Sequence, residues 1–448
     1  MGNLVSDTTV LLKKGEGRTI KAGGSWIFDN EIASIKGSFK NGALVNVQDF
    51  DGYPMGAGFI NQNSKIRVRM LTRSKDAIVD EAFLGNRVQN AWDYRNSIMS
   101  TKDMQACRLI FGEADFLPGL VVDRYNDVLV VECLALGMDN LKEIILSKLV
   151  NIISNANQEI KYIFERSDAP VRKKEGLEPV KRLLYRNGNF ESVGLANLDD
   201  QDREYLSNVE IVENGVHYIV DVINGQKTGF FLDQKYNRMA IQNLCRNFMS
   251  TNTSLDGSLI HANTDCENSK SMRVLDCFTH MGTFALNAGL GGATDVTGLD
   301  ISEYAVEQAN ANSKRNGLHN TVRFRAANVL DELPKLYEAG EKYDLVILDP
   351  PAFTKSREAT KNAIKGYREI NMKGLKLVND GGFLATCSCS HFMTQELFTE
   401  VIGQAAKAVH KRLRQIEFKT QAPDHPILWA ADESYYLKFY VFQVVDEK

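Results

Sequence analysis

The sequence predicts a multidomain α/β protein whose C-terminal half is a mostly parallel, doubly wound sheet of seven strands. Three observations point there. The chain has 448 residues, too many for one compact core. From Met272 onward, short apolar runs alternate with helix-length amphipathic stretches, the βαβ signal of a parallel sheet. One of those runs ends in Asp349, followed at once by Pro350 and Pro351. Prolines cannot continue a ladder, so this strand stops at Asp349. That leaves a carboxylate at the carboxyl edge of the sheet, where ligands bind in open α/β folds. Taken alone, the Asp-Pro-Pro tripeptide is equally an ordinary strand end with a turn.

Composition narrows the class. Hydrophobic residues at 44% and charged residues at 25% are ordinary for a soluble globular protein. The net charge of -4 gives no global basic signature, so a nucleic-acid surface must be a local patch. The seven cysteines are scattered, odd in number and lack zinc-type spacing. They read as reduced thiols of a cytoplasmic protein without a metal site. No run approaches the length needed to span a bilayer, so no membrane partner is expected.

Three domains are expected, at 1–75, 76–200 and 201–448. The first is β-rich and punctuated by glycine. Between Lys13 and Arg73 it holds ten basic residues against five acidic ones. Lys65, Arg67 and Arg69 alternate and so share one face of a strand, either a phosphate-contacting face or a solvated edge. The second is α+β, opening on a polar linker helix within 76–99, with strands at 120–123 and 127–134 and a helix at 141–153. Its Arg172-Lys173-Lys174 triplet sits in a loop, as a nucleic-acid contact or a solvated surface.

The third domain opens with a hairpin over 209–223 that turns on Asn214-Gly215. Asp233 can cap a helix over 234–246. Residues 247–271 are polar and unperiodic, a surface insertion. Strands follow at 273–278, 296–300, 321–326, 344–349 and 382–387. Helices at 283–290, 302–316, 330–338 and 364–379 fill the gaps. Strands at 412–419 and 435–445 close the chain as an antiparallel edge.

The chemistry-bearing residues sit at the carboxyl ends of those strands. The turn from Asp276 through Phe278 to Gly282 has one glycine where a dinucleotide fingerprint has three, which hinders a pyrophosphate but suits S-adenosylmethionine. Asp300 is placed to accept from ribose hydroxyls, or is a simple acid beside the Ser302 cap. Asn328 follows the third strand, where adenine would be reached. The fifth strand ends in Thr386-Cys387-Ser388-Cys389-Ser390-His391. Cys387 reads as an inert buried thiol. Cys389, just past the strand and facing the same mouth as Asp349, reads as a nucleophile. A thiol suits one reaction in particular. Carbon 5 of cytosine is a poor nucleophile until a thiolate adds to carbon 6, and loss of the carbon 5 proton later expels the thiol. Asp349 would hold the pyrimidine edge.

The sequence resembles the large-subunit ribosomal RNA cytosine-C5 methyltransferase I family. The matching blocks are Ser25-Trp26-Ile27-Phe28, residues 117–124, Val171-Arg172-Lys173-Lys174-Glu175-Gly176, residues 227–234, residues 349–353, residues 366–371, Ser388-Cys389-Ser390 and Asp424-His425-Pro426. The resemblance implies a PUA-like N-terminal barrel that binds RNA, a middle domain and a Rossmann-like class I methyltransferase. It implies 5-methylcytosine formation in 23S-type ribosomal RNA. It implies that Thr228, Phe230, Asp233 and Gln234 help enclose S-adenosylmethionine, together with Asp276, Phe278, Gly282, Asp300, Asn328 and Asp349. Pro350, Pro351, Phe353, Lys65, Arg67, Arg172, Lys173 and Lys174 are the expected RNA contacts, and a homodimer is left open. The chain departs from the family in having Asn328 where an acid is frequent, and Cys387 where an apolar residue stands. No cysteine follows Asp349-Pro350, unlike the two-cysteine RNA methyltransferases. Amino-nitrogen methylation of a base, or RNA binding without turnover, are the competing readings.

Overall fold

The computed structural model describes residues 2–250, 271–353, 359–429 and 431–447. The expected insertion at 247–271 lies largely outside them; its first residues, 247–250, continue a helix. The chain divides into two compact units, residues 1–211, 219–233 and 423–434 in one, and 212–218, 234–422 and 435–448 in the other. No described helix is long and apolar enough to cross a membrane.

The first unit contains two six-stranded sheets. In the N-terminal sheet, Val5–Leu12 pairs in parallel with Leu44–Gln48, and the other pairings are antiparallel. Ile66–Thr72 turns Val68 and Met70 into a core with Val10, Leu12, Ile27, Val45 and Val47, so period two puts Arg67 and Arg69 on the opposite face. The second sheet runs from Ala106–Phe111 to Asn189–Gly194 in chain order. Its single parallel pair, Val128–Cys133 with Tyr162–Ser167, is bridged by the helix Lys142–Asn155, as a parallel crossover requires.

The stretch read as a linker helix is instead a packed one. Glu81–Ile98, capped by the Asp80 carboxylate on the Phe83 amide, buries Leu84, Val88, Ala91, Trp92 and Arg95. Leu84, Val88, Ala91 and Trp92 share one core with Leu44, Phe59 and Leu71 of the N-terminal sheet and with Leu120, Val122, Leu129 and Val131 of the second. A single apolar cluster therefore runs through residues that composition divides at position 75.

The second unit is built on a seven-stranded sheet. Numbered from Arg273–Cys277, its strand order is 3-2-1-4-5-7-6. The first five strands pair in parallel. Lys438–Asp446 pairs antiparallel with both Val378–Ser388 and Lys411–Lys419. The last strand in sequence thus slots between the fifth and sixth. The fourth, Tyr343–Leu348, ends one residue before Asp349. A helix absent from the expected pattern, Gln395–Ala408, precedes Lys411–Lys419 and buries Phe398, Val401, Ile402, Ala405 and Ala406. Asp233 lies in a short 3-10 turn, Leu232–Gln234, and the helix begins only at Lys235.

Candidate active site

The carboxyl edge of this sheet is acidic and strained. Asp276, in the first strand, is fully buried. Its Oδ2 accepts from the Thr279 hydroxyl at 2.5 Å and the Ala285 amide at 3.0 Å. Its Oδ1 is buried with no partner. Burial, reinforced by Asp349 and Asp300, pushes this carboxyl up to about 7 against the pull of its two donors. Between Asp276 and the helix Thr283–Leu290, Phe278, His280 and Gly282 all take positive φ, at 66°, 51° and 81°. Two of the three carry side chains, so this loop stores backbone strain of the kind held at functional turns. Asp300 fixes it: Oδ2 accepts from the His280 amide at 2.9 Å while Oδ1 accepts from Ser302 at 3.0 Å. The space beside Gly282 is filled by Phe324, whose ring would meet a Cβ there at 2.5 Å. Gly282 thus serves close packing of the third strand. Asn328 is exposed and caps the helix Val329–Glu338 through the Leu330 amide.

These residues fit a ligand that brings positive charge and hydroxyl donors. An unpartnered buried carboxylate oxygen, with two further carboxylates near it, asks for a cation that the described chain does not supply. S-adenosylmethionine carries a sulfonium, an ammonium and ribose hydroxyls, and so matches that donor deficit.

At the next strand ends, Asp349 receives the Gln234 side-chain amide at 3.2 and 3.1 Å. Gln234, only 4% exposed, is itself steadied by Asn237, whose amide donates to its Oε1 at 2.6 Å. Cys387 is fully buried between Gln234 and Asp349, and burial holds its thiol well above the ordinary range. Cys389 differs. Among the described cysteines it alone is partly exposed. Register places Thr386 opposite Leu348, so Cys389 comes off the fifth strand beside the Asp-Pro-Pro turn, with Sγ 4.0 Å from the Pro350 carbonyl. Pro350 is buried and Pro351 exposed. Phe353 packs edge-on against Tyr367, centroids 4.8 Å apart, and Tyr367 meets the Ser388 hydroxyl at 3.0 Å.

A family model for a PUA-like domain matches residues 10–73, and one for a methyltransferase domain matches residues 268–438. A ribosomal RNA large subunit methyltransferase I from Alteromonas mediterranea is 33% identical over 98% of this chain and 99% of its own length. Another from Shewanella denitrificans is 34% identical over 97% and 99%. The chain belongs to the ribosomal RNA large subunit methyltransferase I family. A Streptococcus mutans chain described as a SAM-dependent methyltransferase shares the fold, with TM-score 0.72 at 18% identity over 97% of this chain and 99% of that one. Family and fold agree on an S-adenosylmethionine-dependent methyltransferase.

Two blocks that carry the family resemblance turn out to be tied together inside the first unit. The Thr228 hydroxyl donates to Asp123 Oδ2 at 2.5 Å and lies 3.0 Å from the Tyr125 hydroxyl. Tyr125 in turn accepts from the Phe230 amide at 3.2 Å. Asp123 is held by both arms of Arg108, at 2.7 and 2.8 Å. The Lys227–Asp233 segment is thus pinned at Thr228 and Phe230, both 2% exposed. Asp233 is 5% exposed, with Lys227 at 3.7 Å.

The basic residues separate into two kinds. Lys65, Lys173 and Lys174 are exposed and Arg67 half-buried, its guanidinium donating to the Asn61 carbonyl at 3.2 Å. Arg172 is 3% exposed and donates to the carbonyls of Cys133 and Glu178 and to Asp139, so it builds the turn that presents its two neighbours. Arg69 lies over the Trp26 ring and pairs with Glu113 and Glu175.

Residues that sequence reasoning passed over are Tyr367 and Lys438. Lys438 is 1% exposed, with Nζ on the carbonyls of Ser390 at 2.6 Å and Tyr436 at 2.9 Å. The available signal was a lysine opening an otherwise apolar run, Lys438-Phe439-Tyr440-Val441-Phe442.

Proposed function

We propose that this chain forms 5-methylcytosine in large-subunit ribosomal RNA, with Cys389 as nucleophile and Asp349 holding the pyrimidine edge. The observation that carries the reading is the partly exposed Cys389 thiol beside the Asp349-Pro350-Pro351 turn. Bound S-adenosylmethionine supplies a methyl group on a sulfonium. Asp276, Asp300 and Gln234 would hold it. The Cys389 thiolate would add to carbon 6 of the cytosine, and the carbon 5–carbon 6 electron pair would take the methyl group at carbon 5 as the methyl–sulfur bond breaks, its electron pair staying on a now neutral thioether sulfur. Loss of the carbon 5 proton to a base then re-forms the double bond as the carbon 6–sulfur bond breaks and the thiolate leaves. The target base must leave any stack to reach this turn, with Pro350, Pro351 and Phe353 as its walls. The reading includes a reducing cytoplasmic setting, which keeps Cys389 reduced.

RNA containing 5-fluorocytidine tests it. Fluorine at carbon 5 cannot leave as a proton, so the adduct should persist as a gel-stable complex carrying the peptide of Cys389. Absence of that complex, with methyl transfer to unmodified RNA intact, would favour methylation at an amino nitrogen.

Two further outcomes are expected. Asp276 keeps its proton in the free enzyme up to about 7, above the usual carboxylate value. Its contribution to stability is therefore lost as pH rises through about 7. A cationic ligand prefers the ionised form, so cofactor affinity should rise by up to about tenfold between pH 6 and pH 8. Calorimetry should show this in the wild type, and a flat profile in Asp276→Asn.

Lys173 and Lys174 stand exposed on the turn that Arg172 builds. Reversing both to glutamate should weaken RNA binding and lower the slope of log affinity against log salt by about 1.5. An unchanged slope would remove this turn from the RNA surface.

A further inference from the structure

Lys438 presents an anomaly. It is a lysine, 1% exposed, on the strand that pairs antiparallel with the one leading to Cys389. Lys438 sits directly opposite Ser388 in that register. Two of its N–H groups go to the carbonyls of Ser390 and Tyr436, and its ammonium lies 5.5 Å from the centroid of the Tyr435 ring. No carboxylate pairs with it among the described residues. A buried cation without a counter-ion is costly, and fold stability alone gives no reason to keep one. Between Ser388, which it faces, and Ser390, whose carbonyl it holds, stands a residue that can carry an anion. That residue is Cys389, whose charge Lys438 feels.

We propose that Lys438 is the positioning residue that holds Cys389 as a thiolate, its ammonium supplying the counter-charge and its two carbonyl bonds fixing the turn from which the sulfur projects. This rests on the reading of Cys389 as nucleophile. Among the described residues, the groups that follow do not supply that charge. Asp349, at the neighbouring strand end, disfavours a second anion. Tyr367, from the helix Thr360–Leu377, is kept neutral as burial pushes its hydroxyl up. Cys387, two residues back, stays a thiol. Tyr435 lies against Lys438, and burial pushes its hydroxyl up to about 12. Glu396 is exposed at the start of the helix Gln395–Ala408. His391 is exposed, with Nδ1 3.2 Å from the Tyr435 carbonyl. Burial lowers the Lys438 ammonium and the Cys389 sulfur offsets part of that, leaving it at about 8, so near neutral pH the pair is mutually supportive. The thiol proton goes to solvent, and the lysine keeps its own.

The test is the pH dependence of alkylation at Cys389 by iodoacetamide, read peptide by peptide because the chain has seven cysteines. The full-length protein is used, with Lys438→Gln, Lys438→Met and Lys438→Arg. Gln keeps a donor for the carbonyls without the charge, Met fits an apolar site, and Arg keeps the charge. In the wild type the midpoint should fall below the ordinary thiol value of about 8.5. In the Gln and Met variants it should rise by about one unit or more with the alkaline plateau retained, and in Arg it should stay near wild type. A lost structural tie changes the plateau, whereas a lost charge moves the midpoint. A wild-type midpoint at or above the ordinary value overturns the proposal, whether or not the variants fold. So does a Gln or Met midpoint equal to wild type. A low midpoint with no 5-fluorocytidine adduct would instead sink the nucleophile reading and leave the ion pair standing.

Discussion

Cys389→Ala should abolish methyl transfer to RNA, with a loss of roughly 10⁴-fold or more, while cofactor affinity stays within about twofold of wild type. The separation follows from geometry. Cys389 projects beside the Pro350 carbonyl, whereas the groups that fit the cofactor lie at Asp276, Asp300 and Gln234. Cofactor binding by calorimetry and tritiated methyl transfer to ribosomal RNA from a strain lacking the enzyme measure the two halves independently. A variant that still turns over at a tenth of the wild-type rate would mean that carbon 6 is not attacked by this sulfur. Cys387 does not stand in for the lost thiol, because it is fully buried and held neutral between Gln234 and Asp349.

Glu213→Ala should destabilise the protein by about 3–5 kcal/mol without touching any residue proposed for chemistry. Glu213 accepts both arms of Arg238, at 2.6 and 2.8 Å, and the pair is 0% and 1% exposed. Removing the carboxylate takes both of these bonds from a buried guanidinium. Arg238 sits on the helix Lys235–Ser250, directly after Gln234, so loosening that helix also loosens the amide that holds Asp349. Denaturant unfolding of the single variant and of Glu213→Leu with Arg238→Met checks the origin of the loss. The double variant should recover most of the stability, because an apolar pair of similar volume leaves no charge unpaired. A loss below about 1 kcal/mol in the single variant would show that water reaches Arg238.

Much of the second unit was legible because its signals are local. Strands buried on both faces read as apolar runs, and Ser302 marks a helix start through its side chain, as observed on the Ala305 amide. Asp349 and Cys389 could be placed at strand ends because prolines and the end of an apolar run mark their position without reference to distant residues. What escaped depends on long-range partners. Tyr162–Ser167 is buried throughout, yet it carries Glu165 and Arg166, which hide the apolar period. Glu165 is tolerated only because Lys142 and Arg182 reach it, at 2.9 and 2.7 Å. Arg172 looked like part of a basic loop, and only the carbonyls of Cys133 and Glu178 show that it is internal. The helix Gln395–Ala408 did carry a readable stripe, with Thr394 capping the Leu397 amide, and was overlooked between two more conspicuous stretches.

The position of the last strand bears on how the protein comes off the ribosome. Lys438–Asp446 lies inside the sheet, between strands completed earlier in the chain. Until it emerges, Val378–Ser388 presents one unpaired edge, a row of backbone donors and acceptors open to any other strand. During that interval Lys438 is not yet in place. On the proposal above, synthesis of Lys438–Asp446 closes the edge and installs the counter-charge in one event. A thiol activated by Lys438 would become reactive only when the sheet around it is whole.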